Sequence, residues 1–166
     1  MERRALYLYL SCELRLTRAE VRKLPGDICA PEELLNLPDS FRDTLPPGLQ
    51  HKLEQLPDTA AQLSAALREI EEALYIRHIR FLTAADTDWP ERFSTLEDPP
   101  LWLYLRGDLP AEYNPTVAMI GSRSASSYGL RMADFIASEL AAKGVSIVSG
   151  LAAGIDSRAE EAALEA

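Results

Sequence analysis

Positive charge, thiols and imidazoles are all scarce in this chain. Its 17 lysines and arginines face 26 aspartates and glutamates, a formal net charge of -9. Such a chain repels polyphosphates at long range, so any nucleic-acid role must rest on a local basic site. The two cysteines, Cys12 and Cys29, fit neither a CxxC redox pair nor a zinc site. They read as free buried thiols, with a disulfide as the alternative. His51 and His78 lie in polar, helical or helix-terminal surroundings without ligand-type neighbours, so solvated surface histidines are expected and no metal site. No stretch of about 18 apolar residues exists, which excludes a membrane-spanning helix. MERRALYLYLSCELRL looks superficially like a signal peptide. Its apolar part is short, is broken by Glu13 and Arg15 and lacks a small-residue cleavage site, so it reads as a core helix of a cytoplasmic protein. Neither GxGxxG nor GxxxxGK[ST] occurs, and no cofactor is expected.

What is present divides by pattern. With 166 residues the chain can form one ordinary domain or two small ones. Residues 1–78 read as helices between proline-rich joints, a small α-helical domain. Thr17 and Glu20 have capping-box spacing, and the short helix they open stops before Pro25-Gly26. Pro31 suits the first turn of a helix over APEELLNL, and Pro46-Pro47 can open GLQHKLEQL. The longest helix starts near Asp58 or Thr59, with Leu63, Leu67, Ile70 and Leu74 on one face.

Residues 79–166 change character. IRFLT and LWLYLR are strand-like, and between them lie Trp89-Pro90 and Pro99-Pro100. Trp89 and Trp102 are expected in the core. TVAMIGSRSASSYG then reads as a buried-type strand entering a Gly/Ser-rich turn. LRMADFIASELAAKG follows as a helix with Met132, Phe135, Ile136 and Leu140 on one side, closed by Lys143 and Gly144. VSIVSG is the next strand. This is a βαβ unit with parallel strands and an expected right-handed crossover. The fold class is α/β.

That topology builds a crevice. The turns GSRSASSYG and SGLAAGID follow neighbouring strand ends, and each leads into a helix N-terminus bearing about half a positive charge. Gly121 and Gly150 let backbone approach a ligand. Ser122, Ser124 and Ser126 offer hydroxyls, and Arg123 offers a guanidinium suited to phosphate. Ordinary tight turns would give the same pattern, and Arg123 equally suits a surface salt bridge. Asp156 fits a dipole-favoured helix position as well as a ligand contact. Tyr128 is the one aromatic placed to stack on a base, with packing under the loop as the other reading.

VAMIGSRSASSYGLRMADFIASELAAKGVSIVSGLAAGID resembles the start of the Rossmann-like core of the DprA family of DNA-processing proteins. DTDWPERFSTLEDPPLWLYLRGDL resembles that family's lead-in. The likeness covers residues 79–166, while the helical first part is similar only in kind to the family's SAM-like N-terminal domain. The resemblance implies a non-enzymatic binder of single-stranded DNA that hands the strand to the RecA recombinase. It further implies that Gly121, Ser122 and Arg123 form one turn, with Arg123 on phosphate and Ser124 beside it. Ser149, Gly150, Gly154, Ile155 and Asp156 form the other. Two positions depart from the family. Glu160 stands where a histidine is common, with Glu161 behind it, and Ala153 stands where arginine occurs; both make the site less basic.

A doubly wound sheet needs further strands, so the sequence suggests the first, truncated part of a Rossmann-like domain, or one completed by a second copy through its open edge, as in a homodimer. The competing function is a nucleotide-processing enzyme resembling the phosphoribohydrolases, which would use the same cradle for one nucleotide. A structural or regulatory segment that binds nothing is the third.

Overall fold

Helix α1, Glu2–Cys12, sends Leu6, Leu8, Tyr9 and Leu10 inward, which makes the N-terminal segment a core helix as its sequence suggests. The computed structural model describes residues 2–109 and 114–166, and the packing divides them into two units, 1–108 and 109–166.

In the first unit, helix α2, Arg18–Val21, is opened by a complete capping box. The Thr17 hydroxyl accepts from the Glu20 N–H, and the Glu20 carboxylate accepts from the Thr17 N–H at 2.7 Å. Burial pushes the Glu20 carboxyl up, but the ammonium of Lys52, 2.8 Å away, and the Thr17 donors outweigh it and hold the group below its usual range. The segment Pro31–Asn36 winds as a 3-10 helix where an α-helix over APEELLNL was expected. Pro38 explains this: the residue before a proline is driven extended, and Leu37 sits at φ -61, ψ 124, leaving the tighter winding for the few residues between the prolines. Helix α3, Asp39–Arg42, has too short a pattern to be legible in advance, whereas α4, Pro47–Leu53, begins on its proline. Helix α5, Ala60–Ile76, carries a second capping box, Thr59 with Gln62, and buries Leu63 and Ile70.

Strands β1, Ile79–Thr83, and β2, Trp102–Arg106, pair antiparallel with Phe81 opposite Tyr104, their rings 5.1 Å apart. Phe81 joins Leu8 of α1 and Ile70 of α5 in one buried cluster. Composition divides the chain after residue 78; packing keeps this hairpin with the helices and divides it after residue 108. Trp102 lies half-buried against Tyr7 at 5.8 Å, and Trp89 half-buried against Phe93 at 5.7 Å, so neither is a deep core residue. Trp89, Pro99 and Pro100 line a cavity of about 470 Å3 with Arg3 and Arg4. Both arginines donate to main-chain carbonyls, of Gly26 and Phe81. Cys12 and Cys29 are free but half-buried, a correction to the buried thiols expected. The Cys12 thiol lies 3.1 Å from the Tyr104 hydroxyl. Burial first, then that thiol, push the Tyr104 phenol up to about 12, against the lowering effect of Ser11. His51 is exposed beside Glu54, and His78 is exposed just beyond α5.

The second unit is the βαβ arrangement that the sequence suggests, followed by one more helix. Strand β3, Thr116–Ala118, pairs parallel with β4, Ser146–Val148, and Val117 lies opposite Ile147. Helix α6, Ser127–Ala141, joins them, and α7, Ile155–Glu165, follows β4. Gly144, at φ 78, ends the α6 segment with its N–H on Ala141 O. The apolar side expected of α6 is not its buried side. Phe135 and Ile136 are exposed, and Ala133 and Ala137 are buried, with Ala137 clustered on Ala159 and Ala162 of α7. Small side chains let two helices approach closely, and that contact sets which face turns inward.

Candidate nucleic-acid interface

The parallel pairing of β3 and β4 sets the two turns side by side. The first begins at Gly121. A Cβ there would lie 2.7 Å from the Ile155 side chain, so only glycine lets the first turn close over the start of α7. The second ends at Gly154, in the left-handed region at φ 96, where a Cβ would collide with the carbonyl oxygen of Ser122. The Ile155 N–H donates to that same carbonyl at 3.2 Å. One turn therefore caps the helix that grows from the other.

Asp156 completes the lock. It is 6 % exposed, and its Oδ1 accepts from the Gly121 N–H at 3.0 Å. That donor holds the carboxyl below its usual range against the opposing effect of desolvation, and the N–H groups of Gly150 and Ala152 act in the same direction. The Ser149 hydroxyl donates to Met119 O across the strand ends at 2.6 Å. Ser149, Gly154 and Asp156, three candidates for ligand contact, are thus placed in the join between the turns. Gly150 lies against it too, since a Cβ there would stand 3.3 Å from Asp156 Oδ2. At the start of α7 the Ile155 N–H is taken by Ser122 O, and the Asp156 carboxylate faces the Gly121 N–H of the other turn. A phosphate in the floor of the crevice would meet the buried carboxylate of Asp156 and find the Gly121 N–H already engaged.

The outer lip is different. Ser122, Arg123 and Ser124 are exposed, and Arg123 has no ion pair among the described residues. The Ser122 oxygen accepts from the Ser124 N–H at 3.2 Å, a short polar turn that keeps its own hydroxyl proton outward-capable. Ser126 caps α6 by accepting from the Gly129 N–H at 3.1 Å, and the helix's preceding N–H groups have no intrahelical acceptor. Tyr128, read from sequence more readily as packing beneath the loop, is 66 % exposed. Ile120 and Leu151, each beside a turn glycine, are also exposed; both were missed, because an apolar residue at a strand end reads as core. Glu161 pairs with Arg158 at 3.3 Å, sharing that guanidinium with Asp134.

Comparison with known proteins completes this picture. The family described as DNA recombination-mediator protein A matches residues 80–166, the β1 hairpin and the whole second unit. The chain belongs to this family. It is 28 % identical over 120 residues to the DNA processing protein DprA of Bacillus subtilis, covering 72 % of this chain and 38 % of that protein. It is 40 % identical over 85 residues to the protein Smf of Escherichia coli, covering 51 % of this chain and 23 % of that one. The chain therefore spans well under half the length of either relative. The crystal structure of DNA processing protein A from Streptococcus pneumoniae aligns with 99 % of this chain and 55 % of its own, at a TM-score of 0.58 and 24 % identity, a likeness of fold. Among the described residues no group of His, Cys, Asp or Glu side chains is arranged to hold a metal ion, and no helix is long and apolar enough to cross a membrane.

Proposed function

We propose that this chain binds single-stranded DNA as a recombination mediator, without catalytic turnover, through the outer lip of the two-turn lock. The observation that carries the reading is the exposed guanidinium of Arg123, without an ion pair among the described residues, held on a turn that Asp156 fixes from below. A clamp outside the crevice suits an extended chain of phosphates, which needs no enclosed pocket. The carboxylate beneath argues against the competing enzyme, whose single nucleotide would have to sit in the crevice. Family membership supports the mediator role. The hand-over to the RecA recombinase, action in the cytoplasm and pairing with a second copy rest on the resemblance and belong to the same proposal.

The test is fluorescence anisotropy of a labelled thymidine oligonucleotide titrated at several salt concentrations, with thymidine monophosphate as competitor. Binding is expected to weaken with salt at a slope of roughly -0.7 per phosphate contacted. Arg123→Ala is expected to weaken it about tenfold or more, the loss of a charge-assisted hydrogen bond. Displacement by the mononucleotide at low concentration would favour the enzyme instead.

A further inference from the structure

The second unit holds four basic residues, Arg123, Arg131, Lys143 and Arg158. Two are engaged: Arg158 with Asp134 and Glu161, and Lys143 with Glu139 at 3.7 Å. Arg123 and Arg131 are exposed and have no ion pair among the described residues. For Arg131 the cause is visible. Asp134 lies three residues on, the spacing at which a carboxylate neutralises an arginine on a helix, but the Arg158 guanidinium of α7 takes it.

Aromatic rings share this surface. Tyr128 is 66 % and Phe135 58 % exposed. Tyr128, Arg131 and Phe135 recur at i, i+3 and i+7, so they stand above one another on one face of α6, while the buried Ala133 and Ala137 turn to the other. Arg123 lies in the turn that opens this helix. Read from the turn along the helix, the surface runs cation, ring, cation, ring. A single strand presents the matching alternation of phosphates and unstacked bases, and a duplex hides its base faces.

We propose that the outer face of α6 is a track for single-stranded nucleic acid, with Arg123 and Arg131 as successive phosphate contacts and Tyr128 and Phe135 as base platforms. This rests on the reading above and extends it from one turn to a helix face. An exposed ring beside exposed Ile136 also suits a protein contact, and the experiment separates the two.

The 166-residue chain is titrated into a labelled thymidine oligonucleotide and into an abasic oligonucleotide of equal length, for the intact protein, Arg123→Ala, Arg131→Ala, Tyr128→Ala and Phe135→Ala. All four side chains are solvent-facing, and far-UV circular dichroism checks that each variant keeps its helices. Arg131→Ala is expected to reduce the salt slope by about 0.7 on both ligands. Tyr128→Ala and Phe135→Ala are each expected to weaken the thymidine ligand about tenfold and leave the abasic one unchanged. An unchanged slope for Arg131→Ala, or equal losses on both ligands for the ring variants, overturns the track. If Arg123→Ala alone loses binding, the clamp stands and the track falls; if the intact chain binds neither ligand, both fall. A change of oligomeric state in Phe135→Ala with unaltered DNA binding would assign that ring to a protein contact and remove it from the track.

Discussion

From sequence Asp156 fits a dipole-favoured helix position as well as a ligand contact; in the structure its carboxylate is itself the anion that the Gly121 N–H meets. Sequence shows the residue and its place at the start of α7 but not its direction. That direction depends on the parallel register of β3 and β4, which brings the Gly121 N–H to a residue 35 positions away. Ser122, Arg123 and Ser124 lie exposed on the first turn, where no distant register decides their direction. The lowered carboxyl of Asp156 also has a pH signature. In the unfolded chain the group takes up its proton near pH 3.9, and in the folded chain only at lower pH. Its contribution is therefore complete above that value and is lost as pH falls through the folded-state value. Asp156→Asn places an amide before the same N–H donors, and is expected to lower stability at pH 7 and to lose less between pH 7 and pH 3 than the wild type does. Urea unfolding followed by circular dichroism at the two pH values checks this; equal stabilities at pH 7 would remove the lock.

At the level of elements, the capping boxes at Thr17 and Thr59, the prolines that open helices and the periodicity of α5 were readable because each is a local rule. Pro38 shows how a local rule was also missed, its effect on Leu37 having tightened the Pro31–Asn36 turn. The inward face of α6 was not readable at all, since four large apolar residues outweigh two alanines in any pattern and only the contact with α7 decides between them. Helix α5 offers a direct test of terminal geometry. His78, just past its end, is exposed and left-handed at φ 54, a position that glycine fills most easily. His78→Gly removes a steric cost and adds chain entropy to the unfolded state, for a net stabilisation of a few tenths to about 1 kcal/mol. A fall in the urea midpoint would mean that the imidazole makes a contribution the left-handed cost conceals.

On the scale of the molecule, the two units are unequal in what they bury. The first holds thirteen residues in one cluster, nearly all leucine or isoleucine, while the cluster of the second is Ala137, Ala159 and Ala162. Strands of three residues in a two-stranded sheet add little by themselves. The second unit is expected to melt first. Both tryptophans, Trp89 and Trp102, belong to the first unit, so fluorescence reports that unit while circular dichroism sees both. Thermal curves from the two probes are expected to differ, with dichroism falling earlier; coincident curves would show a single cooperative body. The division at residue 108 was hidden from sequence because the hairpin's strand-like composition belongs with the sheet downstream, whereas its Phe81 is buried with Leu8 and Ile70.

The alanine contact between α6 and α7 has one more consequence. Both helices start at the turns, so the distance between their axes is also the gauge that sets how far Gly121 stands from Ile155 and Asp156. The three alanines there are buried against one another, so a larger side chain would have to displace a neighbour. Any bulkier residue at 137, 159 or 162 would act as a wedge, prising the turns apart from a point remote from every ligand-facing atom.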